Sequence, residues 1–148
     1  MITIEGHRVS LRALERVHCR EIWEGYEPEE PVPREPLRPG SSVEGADAWF
    51  DEIQADQGKG HLHLGIFGFD GRLLGDAQLS RIDWFSRSGS LGVGIARRKD
   101  RGYGFGTEAA RALIGHAFTH MDLVRISAAT AEHNNRAQKS LEKLGMVL

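Results

Sequence analysis

The sequence predicts a mixed α/β domain with one sheet. Two kinds of apolar pattern indicate this class: runs that alternate at period two, typical of strands, and stripes at three- and four-residue spacing, typical of helices. Their order along the chain is strand, two helices, three strands, helix, strand and helix. A length of 148 residues fits a single domain, so residues 1–148 are assigned to one unit.

The first half of the chain is predicted to hold one strand and two helices. Residues 8–14 alternate polar and apolar side chains, and residues 15–26 form an amphipathic helix that ends before the first proline. All five prolines fall within residues 28–40, which indicates a loop. Ser41 or Ser42 then caps a second helix that extends to about residue 57.

The middle of the chain reads as an antiparallel meander. Residues 61–67 alternate again, Asp-Gly at positions 70 and 71 is a hairpin turn signal, and residues 73–82 return as the next strand. Residues 91–96 form a third strand whose interior glycines, Gly92 and Gly94, allow another group to approach the backbone closely.

The last third alternates helix and strand. A helix with a clear apolar stripe is predicted to begin at Thr107, residues 123–130 read as a strand, and residues 134–144 read as a final helix. Gly145 stands where a glycine commonly ends a helix.

Charge and composition exclude several functional classes. The formal net charge is -2, too small a field to gather nucleic acid or anionic membrane. No window approaches the roughly 20 apolar residues of a membrane span, and the N-terminal residues do not read as a signal peptide. The single Cys19 has no partner for an internal disulfide, so we expect a reducing cytoplasm.

The stretch from residue 95 to residue 107 carries the clearest chemical signal. A strand leads through a basic turn into RGYGFG at residues 101–106, and a helix follows. Alternate glycines let successive amides point into one concavity, and a helix start adds free amides and positive partial charge, so the stretch predicts an anion cradle. It matches neither a G-x-x-x-x-G-K-[ST] loop nor a G-x-G-x-x-G fingerprint. The alternative reading is a tight strand-to-helix turn without a ligand.

Residues 101–106 also match [QR]-x-x-G-x-[GA], the acyl-CoA signature of the Gcn5-related N-acetyltransferase (GNAT) superfamily. Flanking stretches at residues 6–14, 73–79, 91–95 and 134–146 resemble the branch that contains ribosomal-protein and spermidine N-acetyltransferases. This resemblance implies a mainly antiparallel sheet flanked by helices, with acetyl-CoA as co-substrate. We expect no metal cofactor.

The resemblance also assigns residues to acetyl-CoA binding. They are Ile95, Ala96, Arg101, Gly102, Gly104, Phe105, Gly106, Thr107 and Asn134. The turn amides would hold the pyrophosphate with Arg101 beside it, the backbone of Ile95 and Ala96 would pair with pantetheine where the following strand splays away, and Asn134 would contact the cofactor arm. Arg97, Arg98 and Lys139 are candidates for the adenosine 3′-phosphate, although exposed basic runs are more often solvated faces.

Catalytic residues cannot be carried over from the family. Ser90 stands where related sequences often have glutamate, and Leu141 stands where they commonly have the tyrosine that serves as acid. Glu132 and His133 are the nearest titratable candidates by position, against the simpler reading of a surface turn. The catalytic residues therefore remain unknown.

Two histidine pairs are candidates for metal binding, but the sequence does not support a metal site at either. His116 and His120 have i, i+4 spacing, but the sequence offers no third ligand, so structural helix histidines are the better interpretation. His61 and His63 share one face of a strand and either border an acceptor pocket or serve in packing.

Relatives normally continue past residues 144–146 with two further strands, whereas this sequence stops at Leu148. The resemblance therefore leads us to expect those strands to be missing, and an exposed sheet edge would favour a homodimer.

The leading functional hypothesis is an acetyl-CoA-dependent N-acetyltransferase acting on a primary amine: a protein N-terminus, a polyamine or another small amine. Alternatives are an acyl-CoA-binding or regulatory module without efficient catalysis, and a purely structural domain. Residues 28–40 are the expected acceptor-site lid.

Overall fold

The computed structural model describes residues 2–27, 42–129 and 135–147 and confirms the mixed α/β class. The strands are β1 (Thr3–Glu5), β2 (Val9–Ala13), β3 (Leu62–Gly68), β4 (Leu73–Asp83), β5 (Ser88–Ile95) and β6 (Arg125–Ala128). The helices are α1 (Arg16–Gly25), α2 (Val43–Asp56), α3 (Phe105–His120) and α4 (Asn135–Lys143). The predicted loop at residues 28–40 lies outside the described residues.

The six strands form one sheet in the order β1-β2-β3-β4-β5-β6. Every neighbouring pair is antiparallel except β5 and β6, which run parallel. The sheet is therefore mainly antiparallel, as expected. The predicted first strand is β2, and β1 was not predicted. With three residues, of which only Ile4 is buried, β1 depends on its pairing with β2 and carries little pattern of its own.

Helices cover both faces of the sheet. The larger apolar cluster lies between one face and α3, with Leu11, Leu64 and Leu79 packed against Leu113 and Ala117. The other face packs against α1 and α2. Among the residues that the structure describes, no helix is long and apolar enough to cross a bilayer.

Helices α1 and α2 are tied together by charge and aromatic contact. Arg20 donates from Nε and Nη2 to the two carboxylate oxygens of Asp47, both at 2.8 Å, and the Trp23 and Trp49 rings lie 5.7 Å apart. Ser42 caps α2, as predicted, because its Oγ accepts the Gly45 amide at 3.0 Å. This pair of helices forms one wall over β3 and β4.

Helix α4 ends as predicted. Gly145 has φ +83°, the Met146 amide donates to the Leu141 carbonyl at 3.1 Å, and the Gly145 amide donates to the Glu142 carbonyl at 2.9 Å. This is the Schellman arrangement, in which a left-handed glycine closes the last turn.

Three element boundaries differ from prediction. Strand β5 starts at Ser88 rather than residue 91, β6 covers only Arg125–Ala128, and α3 begins at Phe105 rather than Thr107. The helix starts earlier because Gly104 takes a left-handed conformation and serves as the N-cap. Phe105 and Gly106, which have weak helix propensity, follow directly in helical geometry.

Candidate functional site

The centre of the candidate site is the turn that joins β5 to α3. Gly102 and Gly104 have φ values of +87° and +82°, a region that side-chain-bearing residues rarely adopt. The amides of Phe105, Gly106 and Thr107 form the first turn of α3, where they have no acceptor within the helix. Together with the helix dipole they make a concavity suited to an anion.

The open half of β5 borders this turn. Among the residues that the structure describes, β6 pairs with β5 from Ser88 opposite Arg125 to Leu91 opposite Ala128. Strand β5 continues to Ile95 alongside β4. As predicted, the following strand leaves β5 half-way, and an extended ligand can add to the strand there.

Some backbone groups at the end of β5 are already hydrogen-bonded within the protein. The Ala96 amide donates to the Leu74 carbonyl at 2.9 Å, and the Ala96 carbonyl accepts the Glu27 amide at 2.8 Å. By the alternation of an antiparallel ladder, the amides of Val93 and Ile95 then point away from β4. They are the better placed groups for an added ligand, and Val93 was not among the predicted residues.

Arg101 braces the turn from the β5 side. Its guanidinium donates to the Ile95 carbonyl from Nε at 3.0 Å and from Nη2 at 2.9 Å, to the Ala96 carbonyl at 3.3 Å, and also to the Glu27 carbonyl. These bonds hold the strand end against the start of the turn. A pyrophosphate contact by Arg101 stays a prediction.

Arg8 braces the other side of the turn, which the sequence reading missed. Its Nη2 donates to the Tyr103 carbonyl at 2.8 Å, its Nε donates to Glu108 Oε2 at 2.9 Å, and its backbone amide donates to Glu108 Oε1. The guanidinium carbon lies 4.8 Å from the centre of the Phe105 ring. The β1–β2 connection is thereby fixed to the first turn of α3.

Glu108 is held as a carboxylate by this brace. Burial opposes its charge, but the Arg8 amide and guanidinium, with a smaller contribution from His7, outweigh burial and lower the pKa of Glu108. Its negative charge is therefore compensated by Arg8 and does not cancel the positive character of the cradle.

The remaining predicted cofactor residues lie around the same turn or outside the described chain. Gly106 faces β5, since a Cβ there would lie 3.6 Å from Cγ1 of both Val93 and Ile95. Thr107 Oγ1 donates to Ser140 Oγ of α4 at 3.1 Å. Asn134 lies outside the described residues, as do Glu132 and His133.

The candidate 3′-phosphate residues are spread over different elements. The Arg97 guanidinium packs on α1, where a Cβ at Gly25 would lie 2.8 Å from its nitrogens. Arg98 belongs to a short 3-10 turn, and Lys139 is an exposed residue of α4. Their contact with a phosphate stays a prediction.

A buried histidine and aspartate occupy the opposite sheet face, under α1 and α2. His63 Nε2 lies 2.7 Å from Asp76 Oδ2, and the two side chains are 6% and 15% exposed. The Trp49 ring meets the His63 ring edge-on at 5.4 Å. The sequence reading raised His63 as a border of an acceptor pocket without identifying Asp76.

Three other residues are less suited to catalysis. Ser90 Oγ lies 3.4 Å from Arg81 Nη2 and 3.5 Å from Ser127 Oγ, and Leu141 packs against the apolar core. The Cys19 thiol is fully buried, and burial followed by the charge of Asp76 raises its pKa to about 12. Cys19 therefore stays a neutral thiol and is not a nucleophile.

The histidine pair on α3 is consistent with a structural role. The rings of His116 and His120 stack with centroids 5.0 Å apart. Burial, and then the charge of His120, lower the pKa of His116. Within the three described ranges, no group of three or more His, Cys, Asp or Glu residues is arranged to hold a metal.

Known proteins share both the sequence pattern and the fold. A family model described as "Acetyltransferase (GNAT) domain" matches residues 8–147. The Bacillus subtilis (strain 168) protein named "Putative ribosomal N-acetyltransferase YdaF" is 32% identical over 79 residues, which are 53% of this chain and 43% of that protein. The matched stretch thus spans less than half the length of this relative.

Two solved structures show the same fold at low sequence identity. A chimera of spermidine N-acetyltransferase SpeG from Vibrio cholerae and hSSAT superimposes with a TM-score of 0.79 at 22% identity, covering 93% of this chain and 80% of that chain. A "putative ribosomal-protein-serine acetyltransferase" from Vibrio cholerae gives a TM-score of 0.77 at 21% identity, covering 97% and 82%. The described architecture is therefore that of these acetyltransferases.

Proposed function

The chain belongs to the acetyltransferase (GNAT) domain family, and from that premise we propose that it transfers an acetyl group from acetyl-CoA to a primary amine. The acceptor is proposed as a class: a protein N-terminus, a polyamine or another small amine.

One observation carries this proposal. The left-handed turn at Gly102 and Gly104 presents the first amides of α3 beside the half of β5 that has no β6 partner in the described part of the chain. An anion cradle next to an open strand edge suits a ligand that is a pyrophosphate at one point and an extended amide chain at the next. Acetyl-CoA has both parts.

Two sets of backbone amides would bind different parts of acetyl-CoA. The amides from Gly102 to Thr107 would hold the pyrophosphate, and the amides of Val93 and Ile95 would pair with the pantetheine arm. Whichever of these two amides lies beside the thioester is the proposed donor to its oxygen, since the Ala96 amide already donates to Leu74. Bound acetyl-CoA supplies the activated acetyl group.

Calorimetric titration of acetyl-CoA into the wild type, Gly104→Val and Gly115→Ala tests the cradle. We expect micromolar binding, about -8 kcal/mol, that is lost in Gly104→Val. Gly115 lies within α3, and a Cβ there meets nothing within 4 Å, so Gly115→Ala should bind as the wild type does. A folded wild type that does not bind acetyl-CoA would contradict the proposal.

A second candidate function is an acyl-CoA-binding module without efficient catalysis. Ser90 and Leu141 favour it, because they offer no carboxylate or phenol where relatives often have them. A panel of primary amines separates the two functions. Sustained, amine-dependent release of CoA thiol supports the transferase, and acetyl-CoA binding without turnover supports the module.

We further propose a cytoplasmic homodimer. The buried, unpaired Cys19 suits a reducing compartment, and β6 is the edge strand of the described sheet, an element that commonly pairs with a second copy. Light scattering on the purified chain tests the assembly, and a monomer at all concentrations would contradict it.

A further inference from the structure

The carboxylate of Asp76 faces the open section of β5. Asp76 pairs with Gly94 across the β4–β5 ladder, and its Oδ1 lies 3.9 Å from where a Cβ of Gly94 would be. Gly94 itself is exposed. Two residues earlier on the same face, a Cβ of Gly92 would lie 3.2 Å from Gln78 Cγ, so the Gln78 side chain borders that end. The missing side chain of Gly94 therefore leaves a gap, here called the trench, beside this carboxylate.

His63 holds the other oxygen of this carboxylate. The His63 ring is fixed by its 2.7 Å contact with Oδ2 and by the edge of Trp49. Its main chain is fixed by Gln57, whose side-chain amide donates to the His63 carbonyl at 2.8 Å and accepts the His63 amide at 2.9 Å. These contacts fix the orientation of the Asp76 carboxylate, so that its Oδ1 points toward the trench.

The charge of Asp76 is only partly compensated by the protein. In the described ranges no lysine or arginine forms an ion pair with Asp76, and His63 is its one ionisable hydrogen-bond partner. Cys19 of α1 is neutral, and the nearby α2 residue Trp49 carries no charge. A mostly buried carboxylate whose ionisable partner is a histidine on Oδ2 can still accept hydrogen bonds from a ligand cation through Oδ1.

We propose that Asp76 receives the ammonium group of the acceptor and takes its proton, with His63 as the positioning residue. The inference rests on the proposed acetyl transfer. As an N–H bond of the ammonium breaks, an O–H bond forms on Asp76, and the freed nitrogen lone pair attacks the thioester carbonyl carbon. The C–S bond then breaks, the thiolate takes a second proton from nitrogen, and Asp76 releases its proton to solvent.

Asp76→Asn is the direct test, because the amide oxygen can still accept from His63 while the charge is lost. The matched control is Asp56→Asn, which alters a second Asp–His pair, with Asp56 Oδ2 3.5 Å from His61 Nδ1 and half-exposed. The probes are spermidine and a short peptide with a free N-terminal serine. Binding is measured by calorimetry in the presence of CoA, and turnover by CoA release from acetyl-CoA.

We expect Asp76→Asn to weaken amine binding at least tenfold and to lower kcat about a hundredfold, with acetyl-CoA binding unchanged. Asp56→Asn should change none of these values. His63→Gln, which restores a donor near the Nε2 position, should stay within about threefold of wild type, whereas His63→Leu should lose at least tenfold in kcat/KM. If Asp76→Asn does not fold, the two His63 variants still test whether the histidine positions Asp76.

The outcomes separate this inference from the proposed function. A wild type that acetylates an amine with Asp76→Asn equally active overturns the role of Asp76 and leaves the transferase standing. A wild type that binds amines without turnover, and loses that binding in Asp76→Asn, overturns the transferase and supports the ammonium site. A wild type that neither binds nor acetylates either probe overturns both.

Discussion

Replacing Gly104 with alanine tests whether the left-handed turn is what forms the cradle. Gly104 is the N-cap of α3 with φ +82°, and a Cβ there would lie 3.3 Å from Arg8 Nη2. Gly102 has φ +87° with nothing within 4 Å of its Cβ position, so Gly102→Ala isolates the backbone strain. Gly115→Ala, in the middle of α3, adds the same methyl group without either effect.

The expected change in unfolding free energy differs in sign between these variants. Left-handed geometry costs a side-chain-bearing residue about 1–2 kcal/mol, so Gly102→Ala should lower the unfolding free energy by that amount. Gly104→Ala adds a partial loss of the Arg8 bond to Tyr103, about 1 kcal/mol more. Gly115→Ala should instead raise stability by about 0.5–1 kcal/mol, because alanine is the better helix former.

Urea unfolding followed by circular dichroism measures these differences. Each kcal/mol also moves the Tm by about 2–4 °C for a domain near this size, so a thermal scan gives an independent reading. Calorimetry with acetyl-CoA should show binding weakened at least tenfold in Gly104→Ala and unchanged in Gly115→Ala. If Gly104→Ala were as stable as Gly115→Ala and bound acetyl-CoA equally well, the assignment of the cradle to this conformation would be wrong.

Three further predictions concern charges and the buried thiol. Because the folded pKa of Glu108 is lowered, its contribution to stability is present above its usual value of 4.5 and is lost as the pH falls through the depressed value. Urea titrations should therefore show a steeper acid loss in the wild type than in Glu108→Gln, and parallel curves would contradict this. Arg101→Lys should lower the unfolding free energy by about 1–3 kcal/mol, since a single ammonium cannot replace the guanidinium fork on three carbonyls; an unchanged urea midpoint would show that the brace is dispensable. Cys19, with its pKa raised to about 12, should resist a thiol reagent at pH 8 until denaturant is added, and rapid reaction of the folded protein would contradict its burial.

Local patterns were enough to predict most of the fold. The hairpin of β3 and β4 follows from period-two alternation around Gly71, whose φ is +83°, and α2 follows from a side-chain cap at Ser42. Strand β1 and the start of α3 at Phe105 were missed for different reasons. Strand β1 depends on its pairing with β2, which is a tertiary contact. The start of α3 depends on the left-handed conformation of Gly104, which the pattern of apolar residues does not indicate.

The candidate site was predictable only where it is local in sequence. The cradle lies within one short stretch, so its glycines could be read directly. Arg8 and Glu108 are 100 positions apart, and the residues around each of them do not predict their contact. His63 and Asp76 were within reach, because Gly65 pairs with Asp76 and places His63 on the diagonal of the same face. A register worked out for the predicted hairpin would have found them.

The two arginine braces bear on how the proposed reaction is organised. Arg101 fastens the beginning of the turn to the end of β5, and Arg8 fastens its far end to Glu108 of α3. Both contacts lie within the described protein, so the cradle is formed before any ligand arrives, and binding does not have to order it. Asp76 reaches the same segment of β5 from β4, on the face covered by α1 and α2. In the proposed reaction, strand β5 would therefore set the distance between acetyl donor and amine. A side chain at Gly75 would disturb this spacing, because its Cβ would lie 1.9 Å from the Gly94 carbonyl oxygen.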